Sequence, residues 1–263
     1  MSRCCAGRSK PDLRQATVIE HLHWLIAAAV IVGLAKGGLS SVGSLAVPML
    51  ALFMNPVQAA AFLLPVLIVT DMVAVWLYRR DYSGRNVAIL VPAMLCGIGI
   101  ATLIVPFAPE ALLLAITGGI GIWTLWRRWF GSKPETPSPA RIGPGFFWGT
   151  IAGITTFITH SGAPPTQAFL LPQNLPRLTF AGTFAVSFAI ANFSKLPGYY
   201  ALGLFDAANL RLQALLVLTG ISGTVAGRAI VKRLTDDNFT RVIELLLLIL
   251  SVVLLAKAAM WLF

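Results

Sequence analysis

Long apolar runs alternate with short polar breaks along this chain. They lie at roughly 18–35, 44–54, 57–78, 87–105 and 110–126, and again at roughly 146–159, 163–172, 178–200, 209–227 and 239–262. A bilayer core takes about 20 apolar residues per crossing helix, so the longer runs predict membrane-spanning helices. Between the two sets stands Lys133-Pro134-Glu135-Thr136-Pro137-Ser138-Pro139. Proline lacks the N–H and clashes with the preceding turn, so this stretch cannot continue a helix. The chain divides into a basic N-terminal tail (1–17), a first membrane repeat (18–130), a cytoplasmic linker (131–145) and a second membrane repeat (146–263).

The halves share more than a rhythm. In each, a glycine (Gly33, Gly153) leads through small and hydroxylated residues to a proline (Pro48, Pro172) and a short apolar segment. A break follows (Asn55-Pro56; Gln173 to Pro176), then a long helix. An offset of about 121 aligns Asp71 with Asn192. The second piece of each half is too short to cross, and Gly37, Gly38, Ser40, Ser41 and Gly43, or Ser161, Gly162, Pro164 and Pro165, would break the helix at membrane depth. Backbone groups freed there are tolerated only inside protein or beside a wet cavity. The first two pieces of each half therefore read as a re-entrant helical hairpin; a glycine-rich seam between ordinary helices is the alternative. The expected fold is an all-α polytopic membrane protein of two repeats, each a hairpin plus about three transmembrane helices.

Composition agrees. Of 263 residues 57% are hydrophobic and 11% charged, against about a quarter charged in a soluble domain. Too few polar residues remain to cover a soluble surface, which excludes a cytosolic globular enzyme and a disordered chain. Between 18 and 78 the charged residues are Glu20, Lys36 and Asp71, and between 87 and 126 Glu110 alone. The net charge of +10 thus sits in loops and tails and reports topology rather than nucleic-acid affinity. Positive excess around Arg79-Arg80, Arg127-Arg128 and Arg228 to Arg233 places those loops inside; 106–110 and 201–211 fall outside. From the linker, inside, to 201–211, outside, is an odd number of crossings, which suits a non-crossing hairpin plus one helix and inverts one repeat against the other. The N-terminal tail, with Arg3, Arg8, Lys10 and Arg14, opposes this: either it is an exception or the first piece spans. Residues 1–17 do not read as a cleavable signal peptide. Cys4, Cys5 and Cys96 form no ligand cluster and read as inert thiols, and His21 and His23 with Glu20 lack the further ligands a metal needs.

At Gly33-Leu34-Ala35-Lys36-Gly37-Gly38, running through Gly43 to Val47-Pro48-Met49-Leu50, the chain resembles the sulfite exporter TauE/SafE family of bacterial membrane proteins. The resemblance covers about 18–262 and includes the duplicated layout and the Arg79-Arg80 loop. Thr159-His160-Ser161-Gly162-Ala163-Pro164-Pro165 is close to the family's glycine-proline turn, whereas Ser40-Ser41-Val42-Gly43-Ser44 departs from its fuller glycine run. The resemblance implies export or uptake of small anions, often sulfur oxyanions or organosulfonates, by an inner-membrane multi-pass protein.

Broken helices suit an anion, because the N–H groups at a half-helix start carry about half a positive charge. Ser40, Ser41, Gly43 and Ser44 in the first half, and Ser161, Gly162, Thr166 and Gln167 in the second, are candidate anion ligands; the alternative is that their hydroxyls serve local backbone groups. An ionisable group at membrane depth costs about 2.5–3.5 kcal/mol and needs a reason. Asp71, between the apolar Val69 and Val73, is a candidate proton carrier or a partner for Lys36. Lys36 can attract the anion or snorkel. His160 can donate to an anion and titrate near neutral pH, or simply cap the break. Lys195, with Asn192 and Ser194 beside it, can line a cavity. The chain has no GxxxxGK[ST] for ATP and no cofactor motif. The favoured function is secondary transport of a small anion, bound near the midplane by a monomer or homodimer in the lipid bilayer. The alternatives are a membrane enzyme using His160 and Ser161, which lacks a GxSxG, and an anion channel.

Overall fold

The computed structural model describes residues 21–36, 42–131, 138–204, 210–231 and 236–261. Its helices are α1 (Leu22–Lys36), α2 (Ala46–Leu50), α3 (Pro56–Tyr78), α4 (Gly84–Ile104), α5 (Glu110–Phe130), α6 (Ile142–Thr159), α7 (Ala163–Leu170), α8 (Arg177–Ala201), α9 (Leu210–Val231) and α10 (Asp236–Met260). No strand occurs among the described residues. The expected apolar runs all contain a helix, and the ends follow local chemistry. The Asn55 side chain accepts the Val57 N–H at 3.0 Å just before Pro56 opens α3. α6 begins at Ile142, inside the stretch read as linker, because Pro144 falls in its first turn, where no N–H partner is needed.

Pairs of long helices pack together: α1 on α9, α4 on α6, α3 on α8 and α5 on α10. Two of these contacts are glycine seams. A Cβ on Gly33 of α1 would stand 2.0 Å from the Gly220 carbonyl oxygen of α9, and one on Gly97 of α4 would stand 2.1 Å from the Thr150 oxygen of α6. Only bare backbone allows such an approach, which in a membrane replaces the missing hydrophobic drive with close packing. The distribution of side chains is inverted relative to a soluble protein. Asp71 and Lys195 are 1% and 0% exposed, while Phe107, Leu103 and Trp76 are 87%, 72% and 65% exposed. Pro56–Trp76 and Gly84–Phe107 are long and apolar enough to cross a bilayer, and shorter apolar stretches lie at Leu22–Lys36, Arg211–Ala226 and Leu247–Met260.

Candidate functional site

α6 stops at His160 because that residue takes the left-handed conformation, φ 55° and ψ 16°. A left-handed residue other than glycine costs on the order of 1–2 kcal/mol and persists only when its surroundings fix it. Here both ring nitrogens are held. Nε2 lies 2.7 Å from the Ala60 carbonyl oxygen of α3, and Nδ1 lies 3.0 Å from the Lys195 Nζ of α8. A carbonyl can only accept and an ammonium can only donate, so these partners assign the neutral ring with its proton on Nε2. Two of the carbonyls freed at the end of α6 are also occupied. Tyr199 Oη donates to the Phe157 oxygen at 2.5 Å, and the Ser161 hydroxyl donates to the Thr159 oxygen at 3.3 Å.

Lys195 is saturated. Besides His160, its ammonium donates to Thr156 Oγ1 at 2.9 Å and to Asn192 Oδ1 at 2.7 Å, so all three protons have acceptors. Helical spacing builds this arrangement: Thr156 and His160 are four apart at the end of α6, and Asn192 and Lys195 are three apart on α8. The Asn192 amide then donates to Asp71 Oδ2 at 2.5 Å, and the other carboxylate oxygen accepts from Lys36. One chain of hydrogen bonds thus runs from Lys36 at the end of α1, through Asp71 and Asn192, to Lys195, His160 and Thr156. It holds two ammonium groups against one carboxylate. Met72 and Val73, next to Asp71, point outward instead, at 58% and 47% exposed.

The sequence candidates fall into three groups. Lys36, Asp71, His160, Asn192 and Lys195 meet in the network, including the Asp71–Lys36 pair that the sequence offered as one alternative. Ser161, Gly162, Thr166 and Gln167 lie just beyond it at the start of α7. There the Thr166 hydroxyl donates back to the Gly162 oxygen at 2.9 Å, a local bond. Pro164 and Pro165 remove two of the N–H groups that a helix start would offer an anion. Gly43 lies in the turn before α2, its Cα facing Ala35. Ser40 and Ser41, and the side chain of Ser44, lie outside the described residues. Sequence reasoning missed Thr156 and the Ala60 carbonyl; the first could have been found as the hydroxyl one turn before His160. A cavity of about 280 Å³ lies elsewhere, lined by Arg141, Trp148, Phe169 and Gln173 among others, and touches none of the network residues.

Comparison with curated proteins and with solved structures returns no match for this chain. The family profile described as Sulfite exporter TauE/SafE matches it over residues 25–254, a span that holds every residue of the network. The chain belongs to the sulfite exporter TauE/SafE family, and is a membrane transporter rather than an enzyme.

Proposed function

We propose that the protein is a secondary transporter for a small organic or sulfur-containing anion, of sulfonate, sulfite or carboxylate type, across the bacterial inner membrane. The carrying observation is the buried network with two ammonium groups for one carboxylate. A site with one positive charge in excess, in a low-dielectric surrounding, attracts an anion. Lys36, Asn192, Lys195 and His160 form its described part, with Gly43, Ser161, Gly162, Thr166 and Gln167 at the flanking breaks; Ser40, Ser41 and Ser44 complete the proposal from the first half. Asp71 and His160 are the candidates for moving protons.

The site in this reading lies at the meeting of two inverted repeats with re-entrant hairpins. Three regularities support that. The order of helices repeats, with α1, α2 and α3 answering to α6, α7 and α8. The pairing of α1 with α9 becomes that of α6 with α4 when the halves are exchanged, and each pair meets at a glycine of the same register, Gly33 and Gly153. Asp71 and Asn192, 121 residues apart, bond to each other, as related residues beside a two-fold axis would. Such repeats place substrate at their interface near the midplane.

The test is uptake by purified protein in liposomes, with a panel of sulfite, small sulfonates and carboxylates. Saturable uptake of at least one, reduced in Lys36→Gln, is expected. Uptake of none of them would reject the substrate class.

A further inference from the structure

The two ammonium groups of the network are not equivalent. Lys195 is 0% exposed and its three protons have three protein acceptors. Lys36 has a side chain 25% exposed, and among the described residues Asp71 is its only hydrogen-bond partner. An anion reaching the network therefore meets Lys36 first, and finds a carboxylate already on it. Asp71 is 1% exposed, and its other oxygen is held by Asn192. If an anion took Lys36 while Asp71 stayed ionised, both would lean on the one ammonium within reach, since the Lys195 protons are taken by Thr156, His160 and Asn192, and the buried carboxylate would lose its closest counter-charge. That is strongly unfavourable in a low-dielectric site. A proton on the carboxylate removes the conflict: the neutral acid keeps the Asn192 bond on its carbonyl oxygen and can turn its O–H toward the anion.

We infer that Asp71 is the site's own anion, resting on Lys36 in the empty transporter and yielding that lysine to an incoming anion only as it takes up a proton, so that each anion crosses with one proton. This deepens the anion-transport reading and rests on it. The balance is complete: the proton comes from the side on which the anion enters, binds a carboxylate oxygen, and leaves on the other side as Asp71 returns to Lys36.

His160 is the other candidate, and its bonds argue against it. A second ring proton on Nδ1 would point at the Lys195 ammonium, which can accept nothing. The groups around Asp71 are few. Lys36 faces it from α1, Asn192 and, behind it, Lys195 from α8, and His160 beyond Lys195 from α6. The other helices packed on α3 carry titratable residues only near their ends, Arg211 and Arg228 on α9 and Glu110, Arg127 and Arg128 on α5, and α2 carries none.

Proteoliposomes enclosing a pH indicator, with the voltage clamped by potassium and its ionophore, test the inference. Methanesulfonate and sulfoacetate are the probes, because their charge does not change near neutral pH. In the wild type, entry of either anion should acidify the interior by about one proton per anion. Asp71→Asn, whatever its rate, should move anion with no proton, and Asp71→Glu should restore the ratio. In the wild type alone, saturating anion should raise the infrared carbonyl stretch of a protonated carboxylic acid, which keeps the test valid if Asp71→Asn does not fold. Proton entry that survives in Asp71→Asn, proton-free anion entry in the wild type, or no such infrared band would overturn the coupling. A wild type that moves neither probe would overturn the sulfonate reading itself, and the coupling with it.

Discussion

Lys36 and Lys195 belong to one hydrogen-bonded chain and differ in almost every physical respect. Lys195 emerges about two turns before the end of a 25-residue helix into a pocket where Thr156, His160 and Asn192 take its three protons. Lys36 is the last residue of a 15-residue helix, a quarter of its side chain is open, and among the described residues it has one partner. A buried, saturated ammonium fixes the positions of its neighbours; a quarter-open ammonium with one described partner can exchange that partner. In the proposed reading the same residue type is scaffold at one end of the network and binding arm at the other. The difference follows from where each helix ends.

The largest effect that can break this contrast is removal of the scaffold charge. Lys195→Met leaves the Thr156, His160 and Asn192 acceptors without their donor and strips a nearby positive charge from Asp71. Breaking a buried charged network in this way costs about 3–5 kcal/mol. The variant should unfold at much lower temperature in detergent and move no anion. A variant as stable as the wild type would show that Lys195 is not the keystone of the network.

Lys36→Gln should divide stability from binding. Glutamine can still donate to Asp71 and the position is partly open, so stability should fall by about 1–2 kcal/mol. Anion affinity should fall at least tenfold, a loss of about 1.4 kcal/mol or more in binding. Half-saturation for sulfonate uptake, set beside the melting curve of the same preparation, checks both. Equal losses in the two lysine variants would erase the distinction between scaffold and arm.

The sequence reads the helices well and the network less well, for physical reasons. Long apolar runs with polar ends have one outcome in a membrane, so the run at 57–78 emerges as Pro56–Tyr78 and that at 178–200 as Arg177–Ala201. Charges inside such runs are rare and expensive, so Lys36, Asp71, His160 and Lys195 stand out from their apolar surroundings by residue type alone. Their partners do not, because contacts between α3 and α8 or α1 and α3 depend on how helices pack. The offset of 121 did pair Asp71 with Asn192, and these two side chains touch. The reading of His160 as a residue that titrates near neutral pH rests on its chemistry alone; the Ala60 carbonyl that orients its ring leaves no mark in the sequence, since any residue supplies a carbonyl.

Thr156→Val tests how finely the scaffold end is tuned. Valine keeps the shape and the branch but removes Oγ1, so one Lys195 proton loses its acceptor at a site 0% exposed. The expected loss is about 1–3 kcal/mol, with Thr156→Ser recovering most of it. Affinity for anion should change much less than in Lys36→Gln. A Thr156→Val protein with full stability would mean that Lys195 finds another acceptor.

The smallest effect expected is that of His160→Gln. The glutamine amide spaces its oxygen and nitrogen much as the imidazole spaces its two nitrogens, so it can accept from Lys195 and donate to the Ala60 carbonyl. It gains nothing at the left-handed backbone position, where histidine is among the better-tolerated residues. Stability should therefore fall by about 1 kcal/mol, read from the melting midpoint. Because the ring in its present bonds has no acceptor for a second proton, the number of protons carried per anion should be the same as in the wild type. That ratio is the decisive reading: a fall toward zero in His160→Gln would move the proton from Asp71 to the imidazole. It would also make the Lys195 end of the network, not the Lys36 end, the part that changes as the anion crosses.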